Sequence, residues 1–175
     1  MPKDNRKTDR VYIAQGEQAI GDLPDMIIST ILGSCVSVCL WDPDLRIGGM
    51  NHILVPEGAV SDARALSFGA NAMETLINAL MKSGANRAGL VAKVFGGASI
   101  VTGLSDIGER NAAFAFEYLR IEGIPCHSSS VGGTQARQIR FWPENGRVRQ
   151  RFVREAEAPS VQLNVPLSSN EMELL

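Results

Sequence analysis

The stretch that decides the fold runs from Leu32 to Pro56. It reads Leu32-Gly33-Ser34-Cys35-Val36-Ser37-Val38-Cys39-Leu40-Trp41, then Asp42-Pro43-Asp44-Leu45, then Arg46-Ile47-Gly48-Gly49-Met50-Asn51-His52-Ile53-Leu54-Val55-Pro56. The first part alternates as a strand does. Val36, Val38 and Leu40 fall on one face, and Cys35, Ser37 and Cys39 on the other. Asp-Pro-Asp is turn chemistry, because proline presets φ and aspartate bonds its own backbone. A hairpin follows. With a two-residue loop at Pro43-Asp44, Asp42 pairs with Leu45 and, at the far end, Cys35 faces His52. Directly opposed Cβ atoms lie roughly 4.5–5.5 Å apart, which brings an imidazole within reach of the sulfur.

That pairing has a chemical meaning. A free thiol, with a pKa near ~8.5, is mostly protonated at neutral pH, and the thiolate is the nucleophile. A neighbouring imidazole takes the proton and holds the thiolate as an ion pair. No helix N-terminus precedes Cys35 in the sequence pattern, so His52 carries the activation. The imidazolium then protonates a leaving amine. The sequence of steps is acyl transfer from an amide, through a thioester, to water. The plainer alternative makes Cys35 a small buried hydrophobe and His52 a satisfied strand histidine.

Outward from the hairpin, the pattern is mixed. Strands are expected at 11–14, 26–32, 90–95, 124–129, 137–142 and 147–153. Glu144-Asn145-Gly146 makes the turn before the last of these. Met73, Leu76, Ile77 and Leu80 repeat at helical spacing, which predicts a helix over 68–82 capped at Gly84. A second helix is predicted over 109–122, with Asp106 as N-cap. Ala112, Phe116 and Leu119 give it one apolar stripe, and Phe114, Tyr118 and Ile121 another. The fold class is α+β, a single domain of mixed, sandwich-like β-sheets with two main helices packed outside. Residues 1–9 and 156–175 read as flexible ends around a domain over 10–155.

Composition narrows the function. Among 175 residues, 45% are hydrophobic and the formal net charge is −2, so no global basic field exists for nucleic acid. No apolar run approaches the ~20 residues of a membrane span. The polar start, Met-Pro-Lys-Asp-Asn-Arg-Lys, lacks the apolar core of a signal peptide. Three cysteines do not suit a disulfide framework, and a reducing cytoplasm fits them. Cys35 and Cys39 have no second ligand pair at zinc spacing, so neither a metal nor a cofactor is expected. Cys126 and His127 are neighbours on a strand and read as structural.

Other candidates carry weaker signals. Gly96-Gly97-Ala98-Ser99 lacks the Lys-Ser/Thr end of a phosphate loop, and close backbone packing explains its glycines better. Arg110, in the first turn of a helix, is poorly placed for the helix dipole. It suggests an ion pair or, with Asn111, a substrate contact. Arg137, Arg140, Arg147, Arg149, Arg151 and Arg154 line the last hairpin, as a solvated face or a surface for an acidic partner.

At these residues the sequence resembles the chemoreceptor glutamine deamidases of the CheD family. Leu32-Gly33-Ser34-Cys35-Val36 is similar to that family's nucleophile motif, and Met50-Asn51-His52 to its histidine segment. Gly96-Gly97-Ala98-Ser99, Ile107-Gly108-Glu109-Arg110-Asn111, and Gly132-Gly133 with Arg137 follow in order. Ser130 departs from the acidic residue of the family pattern. The resemblance implies a cytoplasmic enzyme with a Cys-His-Thr site, converting glutamines on receptor helices to glutamate. It further implies a CheC-type phosphatase as a possible partner. Cys35 and His52 carry over directly, and Thr30 or Ser29 takes the place of the threonine. On a strand these two face opposite ways, so only one points into the site. Backbone N–H groups around Ser34-Cys35 are expected to stabilise the oxyanion. Two alternatives stand beside this: a cysteine hydrolase of another amide, ester or thioester, and a non-enzymatic module that binds the phosphatase.

Overall fold

The strand after Cys35 is buried at every position, although its alternation marks only one apolar face. Its place in the fold explains this. A computed structural model describes residues 9–55, 63–100 and 106–154. In chain order the elements are β1 (Arg10–Tyr12), β2 (Gln18–Gly21), β3 (Ile27–Leu32), β4 (Val36–Asp42), β5 (Ile47–Asn51), α1 (Ala63–Lys82), β6 (Val91–Gly96), α2 (Asp106–Glu122), β7 (Cys126–Val131), β8 (Arg137–Trp142) and β9 (Arg147–Phe152). Strand β4 is central in a sheet ordered β2-β5-β4-β6-β7, and a second sheet is ordered β1-β3-β8-β9. The helices cover one face of the five-stranded sheet. The four-stranded sheet covers the other.

Two apolar layers result. Val36, Val38 and Leu40 pack with Met73, Leu76, Ile77 and Leu80 of α1 and with Ala115 and Leu119 of α2. Cys35, Cys39 and Trp41 point the opposite way, into the layer between sheets, against Ile28, Leu32, Ile139 and Phe141. Gly49 lets α1 approach β5, since a Cβ there would lie 2.8 Å from Leu76 Cδ1. The segment β6–α2–β7 is a crossover between parallel strands.

The hairpin forms, with a shifted register. Asp42 pairs with Ile47 and Cys39 with Met50, not Asp42 with Leu45. Asp42 Oδ1 accepts the N–H groups of Asp44 (3.0 Å) and Leu45 (3.1 Å), and its carbonyl accepts that of Arg46. Arg46 sits at φ +57°, so the loop spans 43–46. A shift of two keeps every side chain on its predicted face, where a shift of one would have inverted them.

Other differences have local causes. The α1 helix begins at Ala63, before its periodic apolar residues, and Asp106 is helical rather than a cap. Strand β7 starts two residues later than predicted, and β2, four half-buried residues, is a strand absent from those expected. Ile121 is 65% exposed, so the second stripe of α2 buries only at Tyr118 and, in part, Phe114. Residues 1–8 and 155–175, where the flexible ends were expected, lie outside the described residues.

Candidate active site

Cys35 begins no helix or strand; it ends the turn between β3 and β4. The turn is held from below. The N–H groups of Gly97 and Ala98 donate to the carbonyls of Cys35 (2.8 Å) and Gly33 (3.0 Å). Gly96 is at φ +110°, and a Cβ there would stand 2.2 Å from the Cys35 carbonyl oxygen. These glycines therefore permit close backbone packing, and the N–H groups of Gly97 and Ala98 are already engaged. The N–H groups of Ser34 and Cys35 donate to no described residue.

His52 follows β5. Val36 and Ile53 exchange two backbone hydrogen bonds, of 3.0 and 2.8 Å. That register sets Ser37 opposite His52 and makes Cys35 its diagonal neighbour on the inter-sheet face. Diagonal pairs, at about 7–8 Å between Cα atoms, remain within reach of long or aromatic side chains. Ser37 is fully buried, and its hydroxyl has no hydrogen-bond partner among the described residues.

Thr30 comes from the other sheet. Its hydroxyl donates to the Ile13 carbonyl at 2.7 Å and lies 2.7 Å from His52 Nδ1. A hydroxyl has one proton to give. With that proton on Ile13, Nδ1 must be the donor in the second bond, so Nδ1 is protonated and the Nε2 lone pair is left as the base. Ser29 faces the opposite side of β3, half-buried, paired with Tyr12 and Arg140. The structure therefore brings Thr30 to the histidine and leaves Ser29 away from it.

Burial sets the charge state. It pushes the Cys35 thiol up to about 11. It pulls the His52 imidazole down to about 4, against the opposing charge of Glu17. Burial thus disfavours the charged forms of the resting ion pair expected from sequence and favours a thiol and an imidazole uncharged until attack. Such a pair transfers its proton as attack occurs. All three cysteines are free; burial raises Cys39 too, while Cys126 is exposed. His127 packs edge-on against Trp41, 5.8 Å between centroids, a structural contact.

Some residues near the site gave little or no signal in sequence. Asn111, at the start of α2, donates to the Ser34 carbonyl (2.8 Å) and accepts the Val55 N–H (2.9 Å), so one amide ties the Cys35 turn to the strand beyond His52. Asn51 accepts the Val38 N–H at 2.9 Å in place of a ladder carbonyl. The sequence marks Asn51 only as a motif member, and Asn111 as a motif member and a candidate substrate contact beside Arg110. Gln15 Oε1 lies 3.8 Å from Cys35 Sγ, and no motif or pattern in the sequence marks it. Arg110 makes an ion pair with Asp106 at 3.7 Å, and it is not buried. Arg137 leaves the solvated face predicted for it: it is buried, bonded to the Ser130 carbonyl (2.7 Å) and hydroxyl (3.2 Å). Among the described residues, no cluster of metal-ligating side chains is found.

Residues 54–152 match the family described as CheD chemotactic sensory transduction. A probable chemoreceptor glutamine deamidase CheD of Caulobacter vibrioides is 49% identical over 158 residues, covering 89% of this chain and 84% of that protein. One from Agrobacterium fabrum is 51% identical over 149 residues, covering 85% and 82%. Among solved structures, Neisseria meningitidis protein NMB0706 aligns with a TM-score of 0.44 and 12% identity, over 71% of this chain and 62% of that one.

Proposed function

The chain belongs to the CheD family, and we propose that it is a chemoreceptor glutamine deamidase with Cys35 as its nucleophile. The observation that carries the mechanism is the fixed tautomer of His52, set by Thr30 and the Ile13 carbonyl, on the sheet face that also carries the free thiol of Cys35. Cys35 Sγ attacks the side-chain carbonyl carbon of a receptor glutamine while its proton passes to His52 Nε2. Negative charge gathers on the amide oxygen, where the free N–H groups of Ser34 and Cys35 receive it. The C–N bond breaks, His52 returns the proton, and ammonia leaves. Water, deprotonated by His52, then cleaves the thioester to give glutamate and the thiol.

No cofactor enters these steps. Thr30 acts through His52, as a positioning residue. Cys35 and His52 are 9% and 7% exposed, near enough to the surface for a side chain presented on a receptor helix. No described helix is long and apolar enough to cross a membrane. A CheC-type phosphatase is the proposed second partner.

Purified protein incubated with receptor cytoplasmic fragments tests this reading. Ammonia release and glutamine-to-glutamate conversion are expected with the wild type and with Cys126→Ala, and none with a folded Cys35→Ala. Added phosphatase should change the rate. An active Cys35→Ala removes the nucleophile assignment, and an unchanged rate removes the partner.

A further inference from the structure

Ala14-Gln15-Gly16-Glu17 forms a turn. The Glu17 N–H donates to the Ala14 carbonyl at 3.0 Å, Glu17 Oε2 accepts the Ala14 N–H at 2.9 Å, and Gly16 takes φ +84°. The turn is fastened to the residues just described. Gly16 N–H donates to the His52 carbonyl (2.9 Å), His52 N–H donates to the Glu17 carbonyl (3.1 Å), and the Ile13 carbonyl accepts the Thr30 hydroxyl. The tip is therefore fixed relative to the imidazole. From it the exposed Gln15 side chain reaches over Cys35, with Oε1 3.8 Å from Sγ.

We propose that Gln15 is a catalytic residue whose Nε2–H group donates a hydrogen bond to the oxyanion formed when Cys35 attacks. The proposal rests on the deamidase reading for its natural substrate, but extends to any acyl group that Cys35 accepts. A carboxamide carries both an acceptor and two donors, and a half-turn of its terminal bond exchanges them. While the thiol keeps its proton, S–H faces Oε1. Once that proton has passed to His52 and charge appears on the substrate oxygen, the favourable partner becomes Nε2–H. Competing donors are few. Among the described residues, the N–H groups of Gly97 and Ala98 are bound to Cys35 and Gly33, whereas those of Ser34 and Cys35 and the Gln15 amide are not bound to backbone carbonyls.

The test compares full-chain wild type, Gln15→Ala and Gln15→Glu in three reactions: receptor deamidation, acylation of Cys35 by p-nitrophenyl acetate, and alkylation of Cys35 by iodoacetamide. Acylation builds an oxyanion; alkylation does not. In Gln15→Ala, the deamidation kcat and the acylation rate should fall about 10²–10³-fold, the range for losing one oxyanion donor. Alkylation should keep its wild-type rate. Gln15→Glu, which keeps only acceptors, should not restore acylation. Wild-type acylation by Gln15→Ala overturns the proposal. So does equal slowing of acylation and alkylation, because the side chain then only shapes the surroundings of the thiol. Conversion of residue 15 to glutamate in the wild type, absent from Cys35→Ala by peptide mass spectrometry, also overturns it, since the amide is then a substrate. If no receptor is deamidated yet Gln15→Ala slows acylation alone, the deamidase reading falls and the donor assignment stands.

Discussion

At the scale of single residues, the site depends on where three protons reside. Burial opposes charge on both the thiol and the imidazole, and the Thr30 proton is committed to Ile13. The linkage sign for His52 follows. Its folded pKa, about 4, lies below the ordinary 6.5, so its stabilising contribution is full above 6.5 and is lost as the pH falls towards 4. The loss should be about 3 kcal/mol by urea denaturation, and His52→Gln should abolish that component of the slope. An unchanged slope in His52→Gln would assign the acid sensitivity elsewhere. Thr30 and Ser29 give the complementary experiment. Thr30→Ala should lower kcat by about tenfold or more, because the imidazole loses the partner that fixes its tautomer, whereas Ser29→Ala should be mild. Near-wild-type turnover in a folded Thr30→Ala would leave a plain Cys-His dyad. Sequence reduced the hydroxyl to two neighbours; choosing between them required the opposite sheet.

At the scale of elements, the two strand ends bearing Cys35 and His52 are joined by a helix. Asn111, 1% exposed, spans Ser34 and Val55 with its two amide atoms. Asn111→Leu would orphan a carbonyl and an N–H at once. Each unsatisfied buried group costs about 1–3 kcal/mol, so a clear loss in urea stability is expected, with a fall in kcat. Asn111→Asp keeps the acceptor for Val55 and loses the donor to Ser34, and should lie between. Wild-type stability in Asn111→Leu would show the bridge to be dispensable. The helix itself was legible from its apolar spacing, and its cap was not. The contact of Asn111 was invisible because it joins residues 77 positions apart. Strand β2 escaped for another reason: its residues are half-buried and too few for alternation to register.

At the scale of the whole molecule, one amphipathic strand pattern is buried on both sides by different partners. The sequence by itself determined the α+β class, the hairpin, both helices, and the parity that puts Cys35 and His52 on one face, and it marked the segment proposed to carry the nucleophile. These follow from local periodicity, turn chemistry and motif, all written in neighbouring residues. The tertiary structure alone decided the rest: the hairpin register, because the Asp42 carboxylate gathers a longer loop; the choice of Thr30, because β3 lies in the second sheet; and the inward turn of Arg137 towards Ser130. It also set the direction in which both pKa values move, since the depth of burial depends on two layers closing over the site. Gln15 belongs to this second group, brought to Cys35 by a turn bonded to His52, because hydrogen bonds between distant segments leave no period in the chain.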